Sequence, residues 1–182
     1  MLHKSLIYIT RLLNDYLRLR FKLTNDIAFL TSPKESDNTF PANRIGISMI
    51  NLERETVTGI SFNRKQVDSR QFRQSAPSWQ LNIYILFAAI FQGKQYEDGI
   101  QILSGVLSFV QKNHMLTLQE SGTTLSIEPV NLSFHELSNI WSICGGTYHP
   151  SIVCKLRALT VNEQEISDMS VAIGNEELKI DG

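Results

Sequence analysis

Apolar residues follow two rhythms along this chain of 182 residues. From Leu2 to Leu23 they recur every three or four positions, and Leu2, Leu6, Ile9, Leu13, Tyr16 and Leu17 form one stripe, which predicts an amphipathic helix. Lys4, Arg11, Arg18 and Lys22 fall on another side, with Asp15 spaced to pair with Arg11 or Arg18. From Leu81 to Phe91 the helical rhythm disappears, because nearly every position is apolar. One face of a strand there would carry Leu81, Ile83, Ile85, Phe87 and Phe91, the other Tyr84, Leu86, Ala88 and Ile90. A strand apolar on both faces is a central strand, covered on both sides by helices or by another subunit. Gln92-Gly93-Lys94 ends that run, and from Tyr96 to about His114 the helical spacing returns through Ile100, Leu103, Val106 and Val110.

The remaining elements are shorter. Ile27 to Leu30 reads as a brief strand, followed by a loop broken at Pro33 and Pro41. Ile45 to Leu52 and Val57 to Phe62 suggest an antiparallel hairpin, and Met115 to Gln119 and Leu125 to Leu132 suggest two more strands. Ser133 and Glu136 have the spacing of a capping box, opening a helix whose apolar face is Leu137, Ile140, Trp141 and Cys144 and which Gly145-Gly146 stops. Ser151 to Val161 is the last strand. Its Val153, Lys155, Arg157 and Leu159 make a mixed face. The pattern predicts an α+β fold with a mixed, mainly antiparallel sheet, a long central strand and about three helices.

Residues 1–161 read as one domain and 162–182 as an acidic tail, with Glu163, Glu165, Asp168, Glu176, Glu177 and Asp181 against Lys179 alone. Within the domain, residues 63–80 form a polar connector holding Arg64, Lys65, Arg70 and Arg73 against Asp68. Such a segment is either a solvated link or a basic arm that meets an acidic partner.

Composition narrows the function classes. A formal net charge of -1 supplies no bulk attraction to nucleic acid or to an anionic membrane. Charged residues are only 19% of the chain, which favours a subunit of an assembly. No apolar run reaches the roughly 20 residues of a membrane span. Cys144 and Cys154 have no metal-ligand spacing and read as reduced, partly buried thiols of a cytoplasmic chain. The four histidines form no zinc motif, and no nucleophile elbow or phosphate loop is present. The expectation is a non-enzymatic protein without cofactor or metal.

Several motifs in one order resemble a known family. They are the basic amphipathic first helix, then Pro77-x-x-x-Leu81-Asn82-Ile83-Tyr84-x-x-Phe87-Ala88-Ala89, then Tyr96-Glu97-Asp98-Gly99 opening a helix with Leu103-Ser104-Gly105-Val106. Val130-Asn131-Leu132 follows, with Glu136-Leu137-Ser138-Asn139-Ile140-Trp141 behind it. Last come Gly145-Gly146-x-Tyr148-x-Pro150-Ser151 and Lys155-Leu156-Arg157-x-Leu159-Thr160. Together they resemble the N-terminal domain of the cap, or tail-terminator, proteins of phage-tail-like contractile injection systems of the antifeeding-prophage and virulence-cassette type.

The resemblance implies a tail-terminator-like fold and a homo-oligomeric ring, a hexamer, that ends the inner tube and the sheath and anchors the sheath end during contraction. The alternative is another non-enzymatic connector or baseplate-associated subunit of such a particle. The implied partners are further copies of the chain and the terminal sheath and inner-tube subunits, with no nucleic acid and no membrane. The protein would be cytoplasmic at synthesis and assembly and then part of the particle. Candidate partner contacts are Arg64, Lys65, Arg70 and Arg73, and an edge strand carrying Val153, Lys155, Arg157 and Leu159. The candidate ring interface is Tyr84, Leu86, Ile90 and Phe91.

Overall fold

Both apolar rhythms persist as structure. The computed structural model describes residues 2–32, 41–55, 64–68, 71–74, 79–118 and 124–161. The N-terminal stripe forms helix α1 (Leu2–Phe21), which buries Leu6, Ile9, Leu13 and Leu17. It stops short of Leu23 because Lys22 takes a left-handed backbone, φ 53°, and the Leu23 N–H closes onto the Arg18 carbonyl at 3.1 Å.

Strands β1 (Ala28–Leu30) and β2 (Arg44–Arg54) are parallel to each other. Further on, β3 (Arg64–Asp68) and β4 (Gln71–Gln74) pair as an antiparallel hairpin within the expected polar connector. Low apolar content argued for a link without structure, but a two-strand ladder is held by backbone hydrogen bonds and does not require a buried face. The expected strand at Val57 to Phe62 lies outside the described residues.

The long apolar run forms β5 (Trp79–Ile90), which pairs antiparallel with β2 on one side and β8 (Ser151–Val161) on the other. A 3-10 turn at Gly93–Gln95 leads into α2 (Tyr96–Lys112), with Glu97 and Asp98 in its first turn and Lys112 in its last, as its dipole favours. Strands β6 (Met115–Thr117) and β7 (Thr124–Pro129) precede α3 (Phe134–Ile143). The sheet order is β1-β2-β5-β8-β7-β6, mixed only at the β1–β2 pair.

Thus β8 is not an edge strand. It lies between β5 and β7, and its residues Cys154 to Arg157 face partners on β7 while Cys154 to Leu156 also face β5. The mixed side chains of Val153, Lys155, Arg157 and Leu159 had suggested an edge. Alternation, however, reports which face is covered, whereas lateral position follows from pairing with segments distant in sequence.

The two apolar faces of β5 serve two cores. On one side Leu81, Ile83, Ile85 and Phe87 pack with residues of α1 and α2, among them Ile9, Leu13, Val106 and Phe109. On the other side Leu86, Ala88 and Val153 lie under Trp141 of α3 and Cys144, which caps its C-terminus. Each large aliphatic or aromatic side chain removed from water here contributes about 1.5–3 kcal/mol of transfer free energy. Close helix packing depends on glycine. A Cβ on Gly105 would stand 2.6 Å from Phe21 Cε2 and 3.0 Å from Leu17 Cδ2, so α1 approaches α2 at that point.

Helix α3 starts at the expected capping box. The Glu136 N–H donates to Ser133 Oγ at 3.3 Å, and the Ser133 N–H donates to Glu136 Oε2 at 2.8 Å. The helix ends where Gly145 (φ 110°) and Gly146 (φ 84°) reverse the backbone, with the Gly146 N–H on the Trp141 carbonyl at 2.8 Å.

Candidate assembly surface

One end of the sheet is built differently from the rest. Strand β1 covers β2 only as far as Ile47, and β7 covers β8 only as far as Arg157. Beyond those points β2, β5 and β8 run on together, to the pairs Arg54–Leu81 and Trp79–Val161. Among the described residues this three-stranded projection has an unpaired margin on each side. The covering helices also fall short of it. Met49, Leu52 and Trp79 share the helix-side face by register and are 47%, 42% and 51% exposed, and the Arg54 guanidinium lies over the Trp79 ring at 5.4 Å.

The opposite face of the same end is wet and charged. The Tyr84 hydroxyl donates to Glu53 Oε2 at 2.9 Å, and Lys155 Nζ sits 5.4 Å from the centre of the Tyr84 ring. Arg157 pairs with Glu128 at 2.6 Å, with both side chains about half exposed. Asn82 is buried and donates to Glu55 Oε2 at 2.9 Å. The mixed β8 face therefore presents an ion pair and a cation over a ring. Exposed pairs of this kind contribute little to stability, 0–1 kcal/mol each in order of magnitude.

The predicted contact residues separate. Lys155 and Arg157 are on the wet face; Val153 is buried beneath α3, and Leu159 is placed only by its pairing with Leu81. Arg64 and Lys65 are in β3 and Arg73 is in β4, whereas Arg70 lies outside the described residues. Of the candidate ring residues, only Tyr84 faces this surface. Leu86 is 0% exposed, Ile90 packs into the α3 core, and Phe91 packs on Gly99 of α2, where an added Cβ would come within 2.8 Å of its ring. The chain's own helices thus account for the apolar character of β5 over Leu86–Phe91.

Sequence reasoning did not single out Glu53, Glu128, Trp79 or Leu52. No periodicity marks them, because their exposure comes from the shortness of β1 and β7. It also missed a cleft of about 460 Å³ beside α3, lined by Phe134, Leu137, Trp141 and Tyr148. Phe134 is 93% and Tyr148 59% exposed, and the buried indole N–H of Trp141 has no hydrogen-bond partner among the described residues.

Burial pushes the Cys154 thiol up to about 12, and Cys144 is buried under the same sheet face as Trp141. Among the described residues no group of three or more histidine, cysteine or acidic side chains is clustered to hold a metal ion, and no helix is long and apolar enough to cross a membrane.

A curled mixed sheet with two helices on one face and one on the other is the α+β architecture of tail terminators. It is shared with the PVC sheath/tube terminator of an extracellular contractile injection system in the extended state (TM-score 0.62, 17% identity). It is shared also with the tube-terminating cap of the anti-feeding prophage (TM-score 0.54, 15% identity). The alignments cover 90% and 86% of this chain but 57% and 55% of those two, so the chain spans little more than half their length. No curated protein matches it. Over residues 8–172 the sequence matches the Pvc16 N-terminal domain, and the chain belongs to that family.

Proposed function

We propose that this chain is a structural cap subunit of a contractile injection system. Copies close into a ring, a hexamer, that ends the inner tube and the sheath and holds the sheath end during contraction. The observation that carries this reading is family membership over residues 8–172, on a fold shared with a sheath/tube terminator and a tube-terminating cap. A closed ring suits the task because it meets a growing polymer with one face and offers no equivalent site for the next layer.

The projection of β2, β5 and β8 is the part of the chain suited to contact. It presents Met49, Leu52 and Trp79 on one face and Tyr84, Lys155 and Arg157 on the other. Aromatic and arginine side chains in such positions are the types that dominate interface energetics. The basic residues Arg64, Lys65, Arg70 and Arg73 are proposed contacts to tube or sheath, and the Tyr84 surface a contact between ring neighbours. The role is non-enzymatic: surface matching replaces catalysis, in keeping with the buried, protonated thiol of Cys154. The protein is made in the cytoplasm and remains with the assembled particle.

Electron microscopy of particles assembled without this chain tests the reading. A missing cap gives tubes and sheaths of uncontrolled length. Almost no particles would instead assign the chain to the baseplate, and particles of normal length would remove it from length control.

A further inference from the structure

Helix α3 is fastened to the sheet by little more than one ring. Trp141 is its only buried residue, Leu137 and Ile140 are partly covered, and Phe134 and Ile143 at its two ends are 93% and 72% exposed. The buried indole N–H has no hydrogen-bond partner among the described residues, so packing places the ring. Part of that packing comes from the chain just after the Gly145-Gly146 reversal. The rings of Tyr148 and His149 stand edge-wise to the indole, with centres 5.8 and 5.5 Å away. The core under α3 also shares no side chain with the α1–α2 core on the opposite face of the sheet.

His149 is half-buried at a point where a charge would find no counter-ion. Ser151 faces Ala88, and the Ala89 N–H bonds the Pro150 carbonyl at 2.8 Å. That register brings His149 beside Ile90, the residue paired with Arg44 of β2. Arg44 is 6% exposed and gives a guanidinium N–H to the Pro41 carbonyl at 2.9 Å. Strands β5 and β8 contain no acidic residue, and the cations of β8, Lys155 and Arg157, lie further along with Tyr84 and Glu128. Glu53 of β2 is at the far end of its strand, bonded by the Tyr84 hydroxyl. The charged or titratable side chains of α3 itself, His135 and Glu136, are in its first turn, where Glu136 is bonded to Ser133. Tyr148 and Cys144 are the other titratable groups at this end. An imidazolium at His149 would thus give up water beside a buried cation and gain no carboxylate.

We propose that His149 makes the docking of α3 sensitive to acid. Proton uptake there releases Trp141 from its seat against Tyr148 and His149, and α3 lifts from the sheet while the α1–α2 core stays closed. Lifting uncovers Leu86, Ala88 and Val153, an apolar face that the docked helix hides. This goes beyond the cap reading and does not depend on it.

The direction follows from linkage. Burial, then the Arg44 charge, hold the docked imidazole below its ordinary 6.5. With α3 lifted the ring is solvated and returns toward 6.5, so the lifted form takes up the proton first. Lifting is hardest above about pH 6.5 and grows easier as pH falls from there through the lowered value.

Amide exchange on the full chain tests it. At about pH 7.5 the amides of Leu137 to Cys144 are expected to be at least about tenfold less protected than those of Ile9, Leu13 and Leu17, because α3 opens without the rest of the fold. At about pH 5 their protection, corrected for the intrinsic rate, should fall by about threefold or more, and His149→Gln should abolish that fall. Equal protection of α3 and α1, no fall with acid, or the same fall in His149→Gln would each overturn the proposal. Titration of the His149 ring by NMR in the unsubstituted protein gives a reading independent of how the variant folds. A midpoint below 6.5 supports the proposal, and one at or above 6.5 overturns it.

Discussion

The most exposed weakness of this sheet is its parallel edge strand, and one side chain holds it. Ile27 and Thr31 direct backbone groups toward β2, bonding Ile45 and Ile47 at 2.8 and 2.9 Å. Ala28 turns its own N–H and carbonyl the other way, where no strand lies among the described residues. Asn14 of α1 takes the place of that strand. Its Nδ2 donates to the Ala28 carbonyl at 2.8 Å, and its Oδ1 accepts from the Ala28 N–H at 2.8 Å and the Ile27 N–H at 3.1 Å. Asn14 is 4% and Ala28 1% exposed, so water does not readily substitute. Replacing Asn14 with Ala orphans two buried groups at roughly 1–3 kcal/mol each, with the longer Ile27 bond adding less. The expected loss is about 2–4 kcal/mol, against a typical domain stability of about 5–15 kcal/mol. Asn14→Leu restores the volume but not the hydrogen bonds, and should recover little of the loss. Urea unfolding at fixed protein concentration measures both variants, and amide exchange at Ala28 reports the local effect. If Asn14→Leu matches the unsubstituted chain, the edge does not depend on those bonds and the reasoning fails.

Other expectations follow from the same contacts. Gly99→Ala gains up to about 1 kcal/mol of helix propensity but sets a Cβ within 2.8–3.1 Å of Phe91 Cγ, Cδ2 and Cβ, and overpacking costs about 1–3 kcal/mol. The variant should therefore be less stable by about 1 kcal/mol, whereas Gly93→Ala, with nothing within 4 Å, should be neutral or slightly stabilised in the same melt. Burial, with the Arg44 charge second, holds the His149 imidazole below its ordinary 6.5. The unfolded chain takes up that proton first, so this contribution is complete above about pH 6.5 and is lost as pH falls from there through the lowered value; His149→Gln should flatten that limb of a stability–pH curve. Hydrogen bonds from the Ser133 backbone, then its side chain, hold Glu136 below its ordinary 4.5; the capped start of α3 should lose this support only at more acid pH, and Glu136→Gln should remove the dependence. With its thiol pushed up to about 12, Cys154 should resist alkylation at pH 8 until urea unfolds the chain, as should buried Cys144; labelling of either in the folded state at the rate of a free thiol would contradict the α3 core.

What the sequence made legible was the coverage of faces. The stripe of α1, the double-sided run of β5 and the capping box of α3 each report a local period, and each stands where that period placed it. What stayed hidden was lateral order. Lys155 and Arg157 looked like cations kept free for a partner on an edge, yet Tyr84 and Glu128, far away in sequence, occupy them, and β7 closes the supposed edge. The β3–β4 ladder was hidden for the opposite reason, since backbone pairing leaves no apolar pattern to read. These two misses point the same way. The cations of β8 already have matches within the chain, so a partner that used them would compete with Tyr84 and Glu128. Among the described residues, Met49, Leu52 and Trp79 are exposed where β1 and β7 end first, with an unpaired margin on each side. A subunit that meets tube, sheath or neighbour through that end can do so without disturbing either core, because Leu86 and Phe87 are sealed by helices of the same chain.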